Sequence, residues 1–261
     1  MVTRDAPWPS GTPCWIDLGG KDIGAARAFY GSLFGWDIQP GPPEAGGYAM
    51  CLKGGRPVAG IGPGPGAADA AASWTTYIAA DSADETAARI RAAGGQLMME
   101  PMDVMDVGRM AMAADPAGAV FGLWQSRTHT GAGLANEPDT LCWNENMSRD
   151  FEGNKAFYRA VFGYDYDDMS TAGFTYAAVK VGGAEVGGIG ELGPEVPAGI
   201  PAHWSVYFAV ADTDATTAAV ARLGGSVVRP AWESPWGKMA VVSDDQGAAF
   251  SLIGIAAAAA D

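Results

Sequence analysis

The sequence predicts an α+β protein made of two tandem copies of one unit, each copy containing two βαβββ modules. Two observations carry this expectation. Segments of the first half recur in the second at a nearly constant offset: Cys14-Trp15 as Cys142-Trp143, Ala28-Phe29-Tyr30 as Ala156-Phe157-Tyr158, and Phe34-Gly35-Trp36 as Phe162-Gly163-Tyr164, all 128 residues apart. Such a fixed period marks repeated structural units. Within each copy, short apolar runs separated by Gly and Pro alternate with single helical segments, and the order restarts halfway.

The elements follow in order. Cys14 to Gly19 is a short apolar run, and Asp22 is an N-cap candidate for a helix carrying Ala25, Ala26, Ala28, Phe29, Leu33 and Phe34 and stopped by Gly35. Trp36 to Gln39, Tyr48 to Lys53 and Pro57 to Ile61 read as three strands. A second round begins at Trp74, with a strand to Ala80, a helix over Asp84 to Ala93 closed by Gly94-Gly95, and strands at Gln96–Met99, Met110–Ala114 and Val120–Trp124. The repeat continues through this round: Tyr48 and Val58 match Tyr176 and Val186, Trp74 and Tyr77 match Trp204 and Tyr207, and Asp115 matches Asp244. The polar stretch Ser126 to Thr140 has linker composition. It divides the chain into residues 1–127, a linker at 128–139, and residues 140–261. The Ala-rich tail, Ala256 to Ala260, is expected to fray.

Composition excludes several functions. The formal charge of −14 and the absence of a basic stripe argue against nucleic acid and anionic membranes as partners. No apolar run has the ~20 residues needed to span a bilayer, and Met1 to Ser10 lacks a signal-peptide core, so a soluble, cytoplasmic protein is expected. Three cysteines are too few for a disulfide framework, and Cys14 and Cys142, beside tryptophans, read as structural thiols. No G-x-S-x-G elbow, P-loop or dinucleotide fingerprint is present, and the glycines of Gly60 to Gly66, lying among prolines, read as a turn-rich loop.

The run D-x-x-x-A-x-x-F-Y-x-x-x-F-G-W over Asp22 to Trp36, and D-P-x-G-x-x-F over Asp115 to Phe121, resemble the vicinal-oxygen-chelate superfamily of glyoxalase I, extradiol dioxygenases and bleomycin and fosfomycin resistance proteins. The second-copy forms are Asp150 to Tyr164 and Asp244 to Phe250, with Asp245 in place of the proline. The resemblance implies paired modules curled into incomplete barrels, with the ligand on the concave face. The overall look is that of two-domain actinobacterial glyoxalase-like or "hydroxylase" proteins, some of which accompany anthracycline-type pathways.

The resemblance also implies four chelating positions per copy, usually His and Glu. Here they fall at Trp15, Gly60, Thr75 and Gly122, and at Trp143, Gly188, Ser205 and Ser251. None is a good ligand for a divalent ion, so no metal and no cofactor is expected. A slip of two residues keeps the strand face and would bring in Asp17, Glu145 and His203, still short of the usual complement.

Strand alternation sets Trp15 with Asp17 and Trp143 with Glu145 on one face, joined by Thr75, Tyr77, Trp124, Ser205 and Tyr207. Glycines at former ligand positions are expected to leave volume, giving a roomy, aromatic, sparsely polar pocket for a planar or hydrophobic molecule. A carboxylate beside an aromatic wall also suits an ammonium or aminosugar. Trp74 and Trp204, on the opposite face, are assigned to packing, and Phe29-Tyr30 and Phe157-Tyr158 to the core. Trp232 and Trp236, in a connection between strands, are lid candidates, and His203 reads as a solvent-facing strand start.

The leading expectation is a metal-independent binder of a planar aromatic secondary metabolite, acting by sequestration or as an accessory to a biosynthetic oxidase, and built as a monomeric pseudo-dimer. One rival is a cofactor-free enzyme using Asp17, Glu145 or His203 as general base. The second rival is a metal-dependent lyase or dioxygenase.

Overall fold

The computed structural model describes residues 2–64 and 71–255, so the Ala-rich tail and the end of the Gly60–Gly66 stretch lie outside the described residues. The first unit contains β2 (Pro13–Gly20), α1 (Ile23–Phe34), β3 (Asp37–Pro40), β4 (Ala49–Lys53) and β5 (Arg56–Pro63), then β6 (Ser73–Ala79), α2 (Ala83–Ala92), β7 (Gln96–Val104), β8 (Gly108–Ala114) and β9 (Val120–Ser126). The second contains β11 (Thr140–Ser148), α3 (Phe151–Phe162), β12 (Asp165–Asp168), β13 (Tyr176–Val181) and β14 (Ala184–Glu191), then β15 (His203–Val210), α4 (Thr213–Arg222), β16 (Ser226–Ser234), β17 (Gly237–Ser243) and β18 (Ala249–Gly254). A small pair, β1 (Val2–Thr3) and β10 (Leu134–Ala135), ties the N-terminus to the segment between the units.

The helices begin where the sequence places oxygen acceptors. Asp22 accepts from the Ala25 N–H, Ser82 from Glu85, Asp150 from Gly153 and Asp212 from Ala215. Gly35 closes α1 at φ +66°, a left-handed conformation that costs glycine little. Three strands add to the expected assignments. β5 continues past Ile61 through Gly62 and Pro63, in the stretch that reads as loop, because pairing with β2 satisfies its backbone. β7 runs past Met99 to Val104 and β16 covers Ser226–Ser234; they carry Pro101 and Pro230, tolerated because each strand lies at a sheet edge. Trp232 therefore lies within β16, not in a connection.

Each unit is one eight-stranded open sheet of two βαβββ modules, in the order β3-β4-β5-β2-β6-β9-β8-β7 and its repeat β12-β13-β14-β11-β15-β18-β17-β16. The helices lie on the convex faces, and the units share those faces as a common core. Phe29, Tyr30, Phe34 and Trp36 pack with Trp74 and with Phe208, Val220 and Phe250 of the other unit; Phe157, Tyr158 and Val161 pack reciprocally with Ile78, Ile90 and Phe121. Trp74, Trp204 and the Phe-Tyr pairs are thus core residues, as expected.

The D-P-x-G-x-x-F motif explains the join. Asp115 Oδ1 accepts the N–H groups of Ala117 and Ala119, shaping its own turn, while Oδ2 accepts from Tyr158 at 3.0 Å, Asn146 at 3.1 Å and Asn154 at 3.2 Å. Asp244 repeats this with Gln246 and Ala248 and accepts from Tyr30 at 3.0 Å. Buried carboxylates need such partners, and here the partners lie across the unit boundary. The concave faces therefore point away from each other.

Candidate functional site

Cross-strand register defines what each concave face presents. On the first, Asp17 of β2 lies between Gly60 of β5 and Thr75 of β6, and Tyr77 of β6 lies between Trp15 and Gly122 of β9. The second repeats this as Glu145 between Gly188 and Ser205, and Tyr207 between Trp143 and Ser251. Paired residues share a face, so Trp15, Asp17, Gly60, Thr75, Tyr77 and Gly122 lie on one face, with Trp143, Glu145, Gly188, Ser205, Tyr207 and Ser251 as their counterparts.

The glycines do not leave open volume. A Cβ at Gly60 would fall inside the Tyr48 phenol, one at Gly122 inside the Tyr77 ring, and one at Gly188 inside the Tyr176 phenol. Without a Cβ, these positions let aromatic rings lie flat against the sheet. The space expected for a guest beside the glycines is filled by tyrosines.

In the second unit, both oxygens of Glu145 are occupied by phenols: Tyr207 donates at 2.5 Å and Tyr176 at 3.1 Å, while the Trp143 indole N–H donates to the Tyr176 hydroxyl at 2.8 Å. Burial raises the Glu145 carboxyl above the usual range, against the opposing effect of its two phenol bonds. In the first unit, Trp15 donates to Tyr48 at 3.0 Å, and burial lifts Asp17 to about 7, opposed by its hydrogen bond with Tyr77. Burial thus disfavours the charged form of both carboxyls, and Asp17, lifted to about 7, can hold a proton near neutral pH and give it to an acceptor resting on the face.

The second face is rimmed by Phe174, stacked on Tyr176 at 5.3 Å, and by Trp236, 6.5 Å from Tyr176 and 49% exposed. Trp232, beneath the Arg229 guanidinium at 3.8 Å, lines up with Met239 and Ile253 further out. His203 sits opposite Met147 at the end of β15, its Nδ1 2.9 Å from the Pro201 carbonyl oxygen, outside the Glu145 cluster.

The first face differs. Trp124, buried, donates to the His129 carbonyl at 2.8 Å, and the His129 ring stands edge-on to Trp15 and Trp124 at 4.5 and 5.3 Å. Burial lowers the His129 imidazole to about 4. The segment that reads as linker is thus packed against the first sheet; Lys53 pairs with Asp139, and Trp36 donates to the Asp139 carbonyl. Cys51 and Cys142 are pushed up to about 12 and Cys14 higher still, by burial, so none is a ready thiolate.

The side chains on these faces do not fit a divalent ion. Each face offers one carboxylate already hydrogen-bonded to phenol, and no group of three His, Cys, Asp or Glu that could hold a metal occurs among the described residues. Sequence reading missed Tyr48, Tyr176, Phe174 and His129. The signal for the first two was present, because Tyr48 and Tyr176 recur at the repeat offset alongside the glycines they cover.

An open eight-stranded sheet of two βαβββ modules, duplicated and bearing its site on the concave faces, defines a class. The chain belongs to the glyoxalase/bleomycin resistance protein/dioxygenase superfamily, whose model matches residues 14–123 and 147–252. It is 46% identical over 258 residues to "Putative glyoxylase CFP32" of Mycobacterium tuberculosis, covering 97% of this chain and 98% of that protein. It is 38% identical over 266 residues to the anthracycline biosynthesis protein DnrV of Streptomyces peucetius, covering 97% and 95%. Among solved structures, the Mn(II)-bound glyoxalase from Novosphingobium aromaticivorans aligns with a TM-score of 0.65 at 17% identity, covering 94% of this chain and 83% of that one. The 2,2',3-trihydroxybiphenyl 1,2-dioxygenase from Sphingomonas wittichii aligns at 0.61 and 15%, covering 95% and 91%. At these identities the structural likeness is one of fold. No described helix is long and apolar enough to cross a membrane.

Proposed function

We propose that the chain binds a planar aromatic or hydrophobic secondary metabolite of polyketide type on a concave face, without a metal ion, to sequester it or to present it to a biosynthetic oxidase. The carrying observation is the content of the facing positions: a phenol-clasped carboxyl beside indole and phenol rings, in place of an N/O donor set. Aromatic rings supply broad contacts, and the carboxyl with its phenols supplies one localised polar point against which an oxygen-bearing guest can orient. The relatives named for anthracycline biosynthesis support this guest class. Titration of tryptophan fluorescence with an anthracyclinone, with and without EDTA, tests it. Saturable quenching unaffected by the chelator is expected; no saturation with any planar polyketide refutes binding, and loss with EDTA refutes metal independence.

A second reading has its own observation, the raised Glu145 and Asp17 carboxyls, which suit proton transfer in a cofactor-free enzyme. Turnover of a bound polyketide, abolished by Glu145→Gln or Asp17→Asn with binding retained, would establish it. Retained turnover in both variants would remove it.

A further inference from the structure

We propose that the segment Arg127–Gly133 closes the first concave face, with His129 as its wedge, so that the second face alone admits a guest and each chain takes one ligand. This rests on the reading that the concave faces bind the guest. The segment is pinned along its length. The His129 N–H donates to the Val107 carbonyl at 3.1 Å, the Trp124 indole to the His129 carbonyl at 2.8 Å, the Ala132 N–H to Cys14 at 2.8 Å and the Trp8 indole to Ala132 at 3.1 Å. Gly131 makes the approach possible: its φ is +97°, and a Cβ there would lie 2.5 Å from the Cys14 carbonyl oxygen.

The effect is a third core cluster on the first face, in which Trp15, Tyr77, Trp124 and Ala132 pack with Met50, Met110 and Met112. The second face has Ala178, Val241 and Ile253 where the first has Met50, Met112 and Trp124, and no matching cluster forms among its described residues. Trp15 is 3% exposed, whereas Trp143 is half-buried. The His129 Nε2 is buried and has no hydrogen-bond partner among the described residues. Its burial between two indoles holds the ring neutral, the state in which it can sit against aromatic edges.

Calorimetric titration of the full chain with quinizarin reads the stoichiometry. One equivalent is expected for the wild type, none for Trp143→Leu, and two for the double variant His129→Ser/Gly131→Val, which frees the segment. Two equivalents in the wild type, or one in a folded double variant, would overturn the proposal. A readout without guest separates closure from binding. The chain has two histidines, so a His203→Gln variant assigns the His129 ring protons by NMR. Closure predicts ring-current displacement by Trp15 and Trp124 and no titration over about pH 6 to 8. Random-coil shifts would overturn it even if the double variant failed to fold, whereas displaced shifts with no quinizarin binding would leave closure standing and defeat the binding reading.

Discussion

Replacing Asp17 by Asn should stabilise the protein in alkaline solution and have little effect in acid. Asp17 rises from 3.8 to about 7 on folding because it is desolvated beside Trp15 and Tyr77. An acid whose folded pKa exceeds its unfolded value binds a proton on folding. Its penalty is therefore small below the unfolded value, grows as pH rises, and is complete above the folded value. Converted at about 1.4 kcal/mol per unit, the penalty is under about 1 kcal/mol at pH 4 and reaches about 4 kcal/mol at pH 8. Asn keeps the size of the side chain and an oxygen to accept from Tyr77, and carries no charge. Residual water access at this partly buried position reduces the gain to about 2–4 kcal/mol at pH 8, or roughly 5–12 °C in Tm for a chain of this length. Urea unfolding of both proteins at the two pH values measures it. A gain independent of pH, or an Asp17→Asn protein less stable than wild type at pH 8, would refute the assignment of a desolvated carboxyl to this face.

Two further outcomes follow from the packing. Tyr30→Phe removes the hydroxyl that accepts from Trp74 and donates to Asp244, and Tyr158→Phe does the same between Trp204 and Asp115. Each should cost about 2–3 kcal/mol in chemical denaturation and weaken the join between the units, with two separated unfolding transitions as the signature. Gly60→Ala and Gly122→Ala place a methyl inside the rings of Tyr48 and Tyr77, and each should destabilise by about 1–3 kcal/mol, while Gly118→Ala, at φ +96° with open space around it, reports the backbone cost alone. Circular-dichroism melts rank the three, and equal losses would show that the rings do not occupy the glycine positions.

Much of this architecture was legible in the linear chain. Asp22, Gly35 and the recurrence of Cys-Trp, Ala-Phe-Tyr and Phe-Gly-aromatic runs report local geometry: a cap satisfies its own helix, and a turn glycine its own φ. Alternation along each strand separated Trp15 and Asp17 from Ile16 and Leu18 without any long-range information. Register between strands was not legible. Whether Trp15 or Asp17 faces Gly60 depends on pairing of β2 with β5, set by bulges and turns far apart in sequence. The same limit hid the tyrosines over the glycines.

The chain order alone determined that two copies of a doubled βαβββ unit would form, because period and capping are local properties. Only the tertiary structure decided that Tyr176 and Tyr207 clasp Glu145, that Asp115 and Asp244 join the units, and that His129, in a segment with the composition of a linker, is wedged against Trp15 and Trp124. Each of these depends on residues brought together from distant parts of the chain, and the free energy of such contacts exists only once the shared core has formed.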